Sequence, residues 1–108
     1  MEYYAGLDVS LKEISVYVVD GDGNAVARGT CPAGPDGLAG WFRTRQIKPN
    51  RIVHESGQLS IWLQRGISGL GLPATCIDAR EAQTALSARL NKSDATDAEG
   101  LAQLARTG

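Results

Sequence analysis

The chain has 108 residues, 43% of them apolar and 21% charged, with a formal net charge of −1. That length supports one domain with a modest core, and the composition excludes both an intrinsically disordered chain and a membrane-inserted one. No apolar run approaches the roughly 18–20 residues of a membrane span, and "MEYYAGLDVS" has no basic segment leading into an apolar stretch, so a cytoplasmic location is expected.

"YYAGLDVS" alternates, with Leu7 and Val9 on one face and Gly6, Asp8 and Ser10 on the other. "ISVYVVD" follows, built of β-branched and aromatic residues, then the turn signal "DGDGN" and a third strand, "AVARGTC". Together these predict an antiparallel three-strand meander. The period then changes: "GPDGLAGWFRTR" puts Leu38, Trp41 and Phe42 at helical spacing. "RIVHE" reads as a short strand, "QLSIWLQRGISGLG" as a helix stopped by Gly69 and Gly71, and "PATCID" as another strand. "AREAQTALSARL" predicts a helix capped by Asp78 with Glu81 three residues on, and a closing helix begins near Asp94. The expected fold class is α/β: a mixed five-stranded sheet containing the meander and flanked by helices.

Cys31 and Cys76 lie in apolar settings without a paired metal-ligand spacing, and are expected to be reduced and buried. His54 is the one histidine, which excludes histidine-rich zinc sites and two-histidine mechanisms. It alternates with Glu55, so it is expected to face away from whatever Glu55 serves.

Basic residues gather in "RTRQIKPNR" (Arg43, Arg45, Lys48, Arg51) and at Arg80, Arg89 and Lys92. If four of the 12 acids form one cation site, 11 basic residues face the remaining 8, a balance of +3. That balance suits nucleic acid, and solvated surface charge explains it equally well.

The carboxylates carry more information. On a helical wheel of "SDATDAEGLAQLA", Asp94 and Asp97 share a stripe with Ala98, Leu101, Ala102, Leu104 and Ala105, whereas Glu99, Gln103 and Arg106 fall opposite. Acids at a helix start cap it and complement its dipole; side chains at i and i+3 also converge on a cation. Both readings fit this segment. Asp8 sits in a strand apolar enough to be central, where burying an ionised carboxylate is costly unless it is paired or metal-bound. Glu55 ends "RIVHE", at the kind of strand end where sites assemble, and Gly57 leaves room beside it. Four carboxylates from three elements suit two divalent cations about 3.5–4 Å apart, acting on the attacking and leaving oxygens of a phosphodiester. Oxygen-only ligation points to Mg²⁺, with Mn²⁺ as a substitute.

In order and spacing, "GLDVS", "HESG" and "KSDATDAEGLAQLA" resemble the N-terminal DEDD domain of a bacterial insertion-sequence transposase family, related to the RuvC Holliday-junction resolvase and ribonuclease H-like in fold. The most specific part is K-[ST]-D-x-x-D-A, present as Lys92 to Ala98. The resemblance covers essentially the whole chain, which is expected to be one domain, 1–108, of a longer protein. It implies catalytic and metal-ligand roles for Asp8, Glu55, Asp94 and Asp97, while the charge distribution makes Lys92, Arg80 and Arg89 the expected nucleic-acid contacts. It further implies an RNA-guided DNA recombinase as the parent activity, with DNA and a guide RNA as partners, a homo-oligomeric full-length protein, and a connector and serine-bearing domain beyond Gly108. His54 and Ser56 stand where the family pattern leads one to expect a more apolar residue and an Ala or Thr.

Two other functions compete. A nucleic-acid-binding or assembly module would keep the fold without the chemistry. A small-molecule phosphotransferase is disfavoured, because "DVSLKE" lacks a glycine-rich phosphate loop after Asp8. The isolated chain is expected to bind Mg²⁺ or Mn²⁺ weakly and to show little strand transfer.

Overall fold

Three strands open the chain, β1 (Tyr3–Val9), β2 (Glu13–Asp20) and β3 (Ala25–Pro32), followed by helix α1 (Pro35–Thr44). Strand β4 (Arg51–Glu55), helix α2 (Ser60–Gly69), strand β5 (Ala74–Ile77) and helix α3 (Asp97–Thr107) complete the described elements. The computed structural model describes residues 2–55, 60–77 and 97–107. The helix expected on "AREAQTALSARL", with its Asp78 cap, lies outside them.

The sheet order is β3-β2-β1-β4-β5. Strands β1 to β3 pair antiparallel as the meander requires, and β1–β4 and β4–β5 pair parallel. The β2–β3 turn forms where "DGDGN" predicts it. Asp20 Oδ1 accepts the Asp22 and Asn24 amides, both at 2.9 Å, and Gly23 takes φ +88°. At the β1–β2 turn, Ser10 Oγ donates to Glu13 O at 2.7 Å.

Helix α1 buries Leu38, Trp41 and Phe42, the three residues singled out by their spacing. Its end is a Schellman motif: Ile47 N donates to Phe42 O and Gln46 N to Arg43 O, with Gln46 at φ 57°. Helix α2 ends the same way, with Leu72 N on Ile67 O, Gly71 N on Ser68 O and Gly71 at φ +82°. Gly71 is therefore the residue that turns the chain out of the helix, while Gly69 still belongs to it.

One face of the sheet carries the larger core, in which Leu7, Ile14, Val16, Val18 and Ile52 meet Leu38, Trp41, Phe42, Leu63 and Ile67. Helix α3 covers the other face, where Leu101 and Ala105 pack with Val53. Both thiols are free, as expected, and Cys31 is buried, whereas Cys76, also expected to be buried, is half-buried. Burial pushes the Cys31 thiol pKa up. Arg43, Arg45 and Lys48 are exposed and Arg51 half-buried, with the Arg45 guanidinium 4.0 Å over the Trp41 ring. No described helix is long and apolar enough to cross a membrane.

Candidate active site at the carboxyl end of the central strands

From β1 the chain continues into β2 and β3 on one side; from β4 it continues through α2 to β5 on the other. Strands β1 and β4 run parallel between these diverging connections, the arrangement in which open α/β sheets place ligands outside the carboxyl ends of the strands. The β1–β4 register pairs Tyr4 with Arg51 and Leu7 with His54. Continued by one residue, it sets Asp8 beside Glu55, one strand spacing of about 4.8 Å away. Glu55 in turn pairs with Ile77 at the end of β5.

Asp8 differs from expectation in one respect. Its strand is central, yet Asp8 is exposed rather than buried. The described part of α3 meets β1 at Gly6, two residues before Asp8. An ideal Cβ built on Gly6 would lie 2.1 Å from Ala98 O and 2.3 Å from Ala102 N, so the start of the helix rests directly on Gly6. Cover from the described part of α3 thus ends about where Asp8 begins. The desolvation argument for a metal at Asp8 therefore falls away, since the carboxylate lies exposed near the end of β1.

The direction of α3 follows from its two ends. Ala98 lies over Gly6, whereas at the far end Gln103 Nε2 donates to Gly23 O at 2.9 Å and Arg106 Nε to Gln103 Oε1 at 3.0 Å. The helix runs antiparallel to β1, so its first residue, Asp97, begins at the Asp8 end of the strand. The wheel is borne out in part: of the expected inward stripe Ala98, Leu101, Ala102 and Ala105 are buried and Leu104 half-buried, while Glu99 and Arg106 on the opposite side are half-buried as well. Gln103, expected on the outer side, is half-buried because the helix leans over β2 and brings that side against the β2–β3 turn.

Of the four expected ligands, only Asp8 has a described side chain. Glu55 and Asp97 are placed by their backbone, and Asp94, Lys92, Arg80 and Arg89 lie outside the described residues. Among the described residues there is no group of three or more His, Cys, Asp or Glu side chains that could hold a metal ion. The donor set nevertheless has the chemistry for Mg²⁺: it is all carboxylate, and Asp8 is open to solvent.

His54 faces the larger core, away from Asp8, and is fully buried. Its Nε2 lies 2.7 Å from Gln64 Oε1, while Gln64 Nε2 donates to Ala74 O at 2.8 Å. The Ala74 carbonyl can only accept, so it orients the Gln64 amide, and the amide oxygen in turn makes His54 Nε2 a donor. Nδ1 has no hydrogen-bond partner among the described residues. His54 thus ties the end of β4 to α2, a packing role in agreement with expectation.

Gly6 shares the face of Asp8, and strand alternation alone assigns it no role. A glycine inside an otherwise apolar strand was the available signal, since it marks a close backbone approach.

The family model for the DEDD domain of IS110 transposases, described as a transposase, matches residues 5–108. No curated protein is significantly similar in sequence. Among solved structures, Thermus thermophilus RuvC is similar over 98% of this chain and 96% of its own, at 14% identity and a TM-score of 0.59. The T. thermophilus RuvC in complex with a Holliday junction substrate is similar over 94% and 90%, at 15% identity and a TM-score of 0.57. These likenesses show a RuvC-like, ribonuclease H-like fold. The chain belongs to the IS110 transposase DEDD family, and its function is that of a transposase domain acting on DNA.

Proposed function

We propose that this transposase domain breaks and rejoins DNA phosphodiesters at a site formed by Asp8, Glu55, Asp94 and Asp97. The observation that supports the reading is the β1–β4 register, which runs to Leu7 opposite His54 and, continued by one residue, would put Asp8 next to Glu55, with the described part of α3 beginning at the same end of the sheet. The four carboxylates would hold two Mg²⁺ ions, or Mn²⁺ in their place. When bound, such a pair supplies stabilisation of charge on both the attacking and the leaving oxygen of a phosphodiester. The exposure of Asp8 keeps its carboxylate within reach of a substrate strand, and β1 and β4 supply a rigid base for it and Glu55.

Lys92, Arg80 and Arg89 would contact the phosphate backbone, neutralising charge without reading sequence. A RuvC of the same fold has been seen with a Holliday junction, which supports DNA as the substrate class. A guide RNA, a homo-oligomer and a serine-bearing domain in the parent protein belong to the same proposal and rest on the family.

Mn²⁺ added to the 108-residue chain should broaden NMR signals centred on Asp8, Glu55, Asp94 and Asp97, with weak affinity and little strand transfer. Broadening centred elsewhere would remove the metal site. In a parent protein that carries the serine-bearing domain, Asp97→Ala should abolish recombination and leave the fold intact; near-normal recombination would sink the catalytic assignment.

A further inference from the structure

We infer that Gly6 is a positioning residue for the carboxylate site: by presenting no side chain, it lets α3 settle backbone to backbone on β1 and so sets Asp97 relative to Asp8. The inference rests on the carboxylate reading above and adds the element that holds the two halves of the site at a given separation.

All three atoms nearest an ideal Gly6 Cβ are main chain: Ala98 O at 2.1 Å, Ala102 N at 2.3 Å and Leu101 C at 2.8 Å. By helical spacing, Ala98 O and Ala102 N are the acceptor and donor of one i→i+4 step. A methyl group at Gly6 would therefore press into a helical hydrogen bond. Trimming side chains on α3 cannot relieve this, because no side-chain atom is among the three. Non-bonded carbon contacts are comfortable near ~3.5–4.0 Å, so the helix would have to withdraw by roughly 1 Å or more.

The withdrawal would fall on the site. Gly6 is two residues before Asp8 in β1, and Ala98 directly follows Asp97 in α3. The other end of the helix is held at the β2–β3 turn through Gln103 and Gly23. Pushed at Gly6 and tethered at Gly23, α3 tilts, and its Asp97 end moves farthest. Displacements of about 1 Å in a catalytic constellation are enough for losses of order 10²-fold.

The test is Mn²⁺ binding by calorimetry to the 108-residue chain, comparing Gly6→Ala, Val53→Ala and Asp8→Asn. Gly6→Ala should bind about 10–100-fold more weakly, the range seen when groups supporting a metal site are disturbed, with β2, β3 and α1 chemical shifts unchanged. Val53→Ala alters the same helix–sheet interface by making room instead of filling it, and should keep nearly full affinity. A folded Gly6→Ala chain that binds like the unmutated one overturns the inference. So does a Val53→Ala loss equal to that of Gly6→Ala, since any loosening would then suffice. If Asp8→Asn leaves Mn²⁺ binding untouched, the carboxylate reading itself fails, an outcome distinct from a failure of Gly6 alone. Should Gly6→Ala not fold, hydrogen exchange on the unmutated chain decides. Mg²⁺ at ten times its dissociation constant should slow the Leu101 and Ala102 amides about tenfold if undocking α3 dismantles the site; unchanged exchange overturns the inference.

Discussion

The two faces of the sheet are built from different materials. On one, Leu7, Ile14, Val16 and Val18 interlock with Leu38, Trp41, Phe42, Leu63 and Ile67 of α1 and α2, and the large side chains set the helices at a distance. On the other, Gly6 lies against Ala98 and Ala102 of α3, and the backbones touch. Among the described residues the second face offers fewer large apolar groups, with Val53, Leu101 and Ala105 forming its buried cluster. Burial of apolar area stabilises at about 25 cal/mol per Å², so among the described residues the first face contributes more to stability than the second. The second gives some of that up for proximity. A site that needs Asp97 near Asp8 requires a helix close to its strand, and only small residues permit this.

That contrast makes a ranked prediction. Leu38→Ala, a fully buried truncation on the first face, should cost about 2–5 kcal/mol in urea unfolding. Val53→Ala on the second should cost about 1–2 kcal/mol from its two lost methyl-sized groups. Native-state hydrogen exchange extends the test: amides of α1 and β2 should exchange through global unfolding, and those of α3 through a smaller, separate opening. Equal opening free energies for α1 and α3, or a larger loss at Val53 than at Leu38, would break the contrast.

The polar tie beneath the first face falls between these two in size. Gln64→Ala would leave Ala74 O and His54 Nε2–H without their present partners, at a cost of about 1–3 kcal/mol. Gln64→Glu sharpens the point, because a carboxylate still accepts from His54 but sets an acceptor against the Ala74 carbonyl. In the unmutated chain, ¹⁵N shifts of the imidazole should place the proton on Nε2. A proton on Nδ1 alone would refute the orientation of the whole chain of contacts.

The difference between the faces also explains what was legible in the sequence. The first face announces itself, since Leu38, Trp41 and Phe42 recur at helical spacing and "ISVYVVD" is β-branched, so type and order of elements follow from local pattern. The Asp20–Asn24 turn and the stop at Gly71 were equally plain, because each depends on chemistry within a few residues. The second face depends on distance between segments some 90 positions apart, Gly6 and Ala98, which no local period encodes. Asp8 lies in a strand whose apolar pattern correctly marks it as central, yet it is exposed, and local pattern carries no information on how far a remote segment covers it. The candidate carboxylates could be named from residue type and family resemblance, but whether they converge is a matter of register and helix direction. Those quantities exist only once the chain is folded.

The smallest expected effect lies at the β2–β3 turn, which joins both faces through its contact with Gln103. The Asp20 carboxylate accepts main-chain amides from Asn24 and Asp22, and these bonds, the one from Asn24 foremost, hold its pKa below the ordinary value of 3.8. A group whose pKa is lowered by folding contributes stability above its unfolded pKa and loses it as pH falls through the folded one. The turn's contribution should therefore be complete above about pH 4–5 and fade below pH 3.8 toward the lower folded value. Asp20→Asn keeps an acceptor oxygen without the titration, so urea midpoints of mutant and unmutated chains should differ least in acid and most near neutrality. Because the Gly23 carbonyl that anchors Gln103 lies within this turn, loss of the Asp20 bonds should also speed exchange of the last α3 amides. If midpoints separate as pH falls below 3.8, or if α3 exchange ignores the turn, the far tether on which the tilt of α3 depends is not at Gly23.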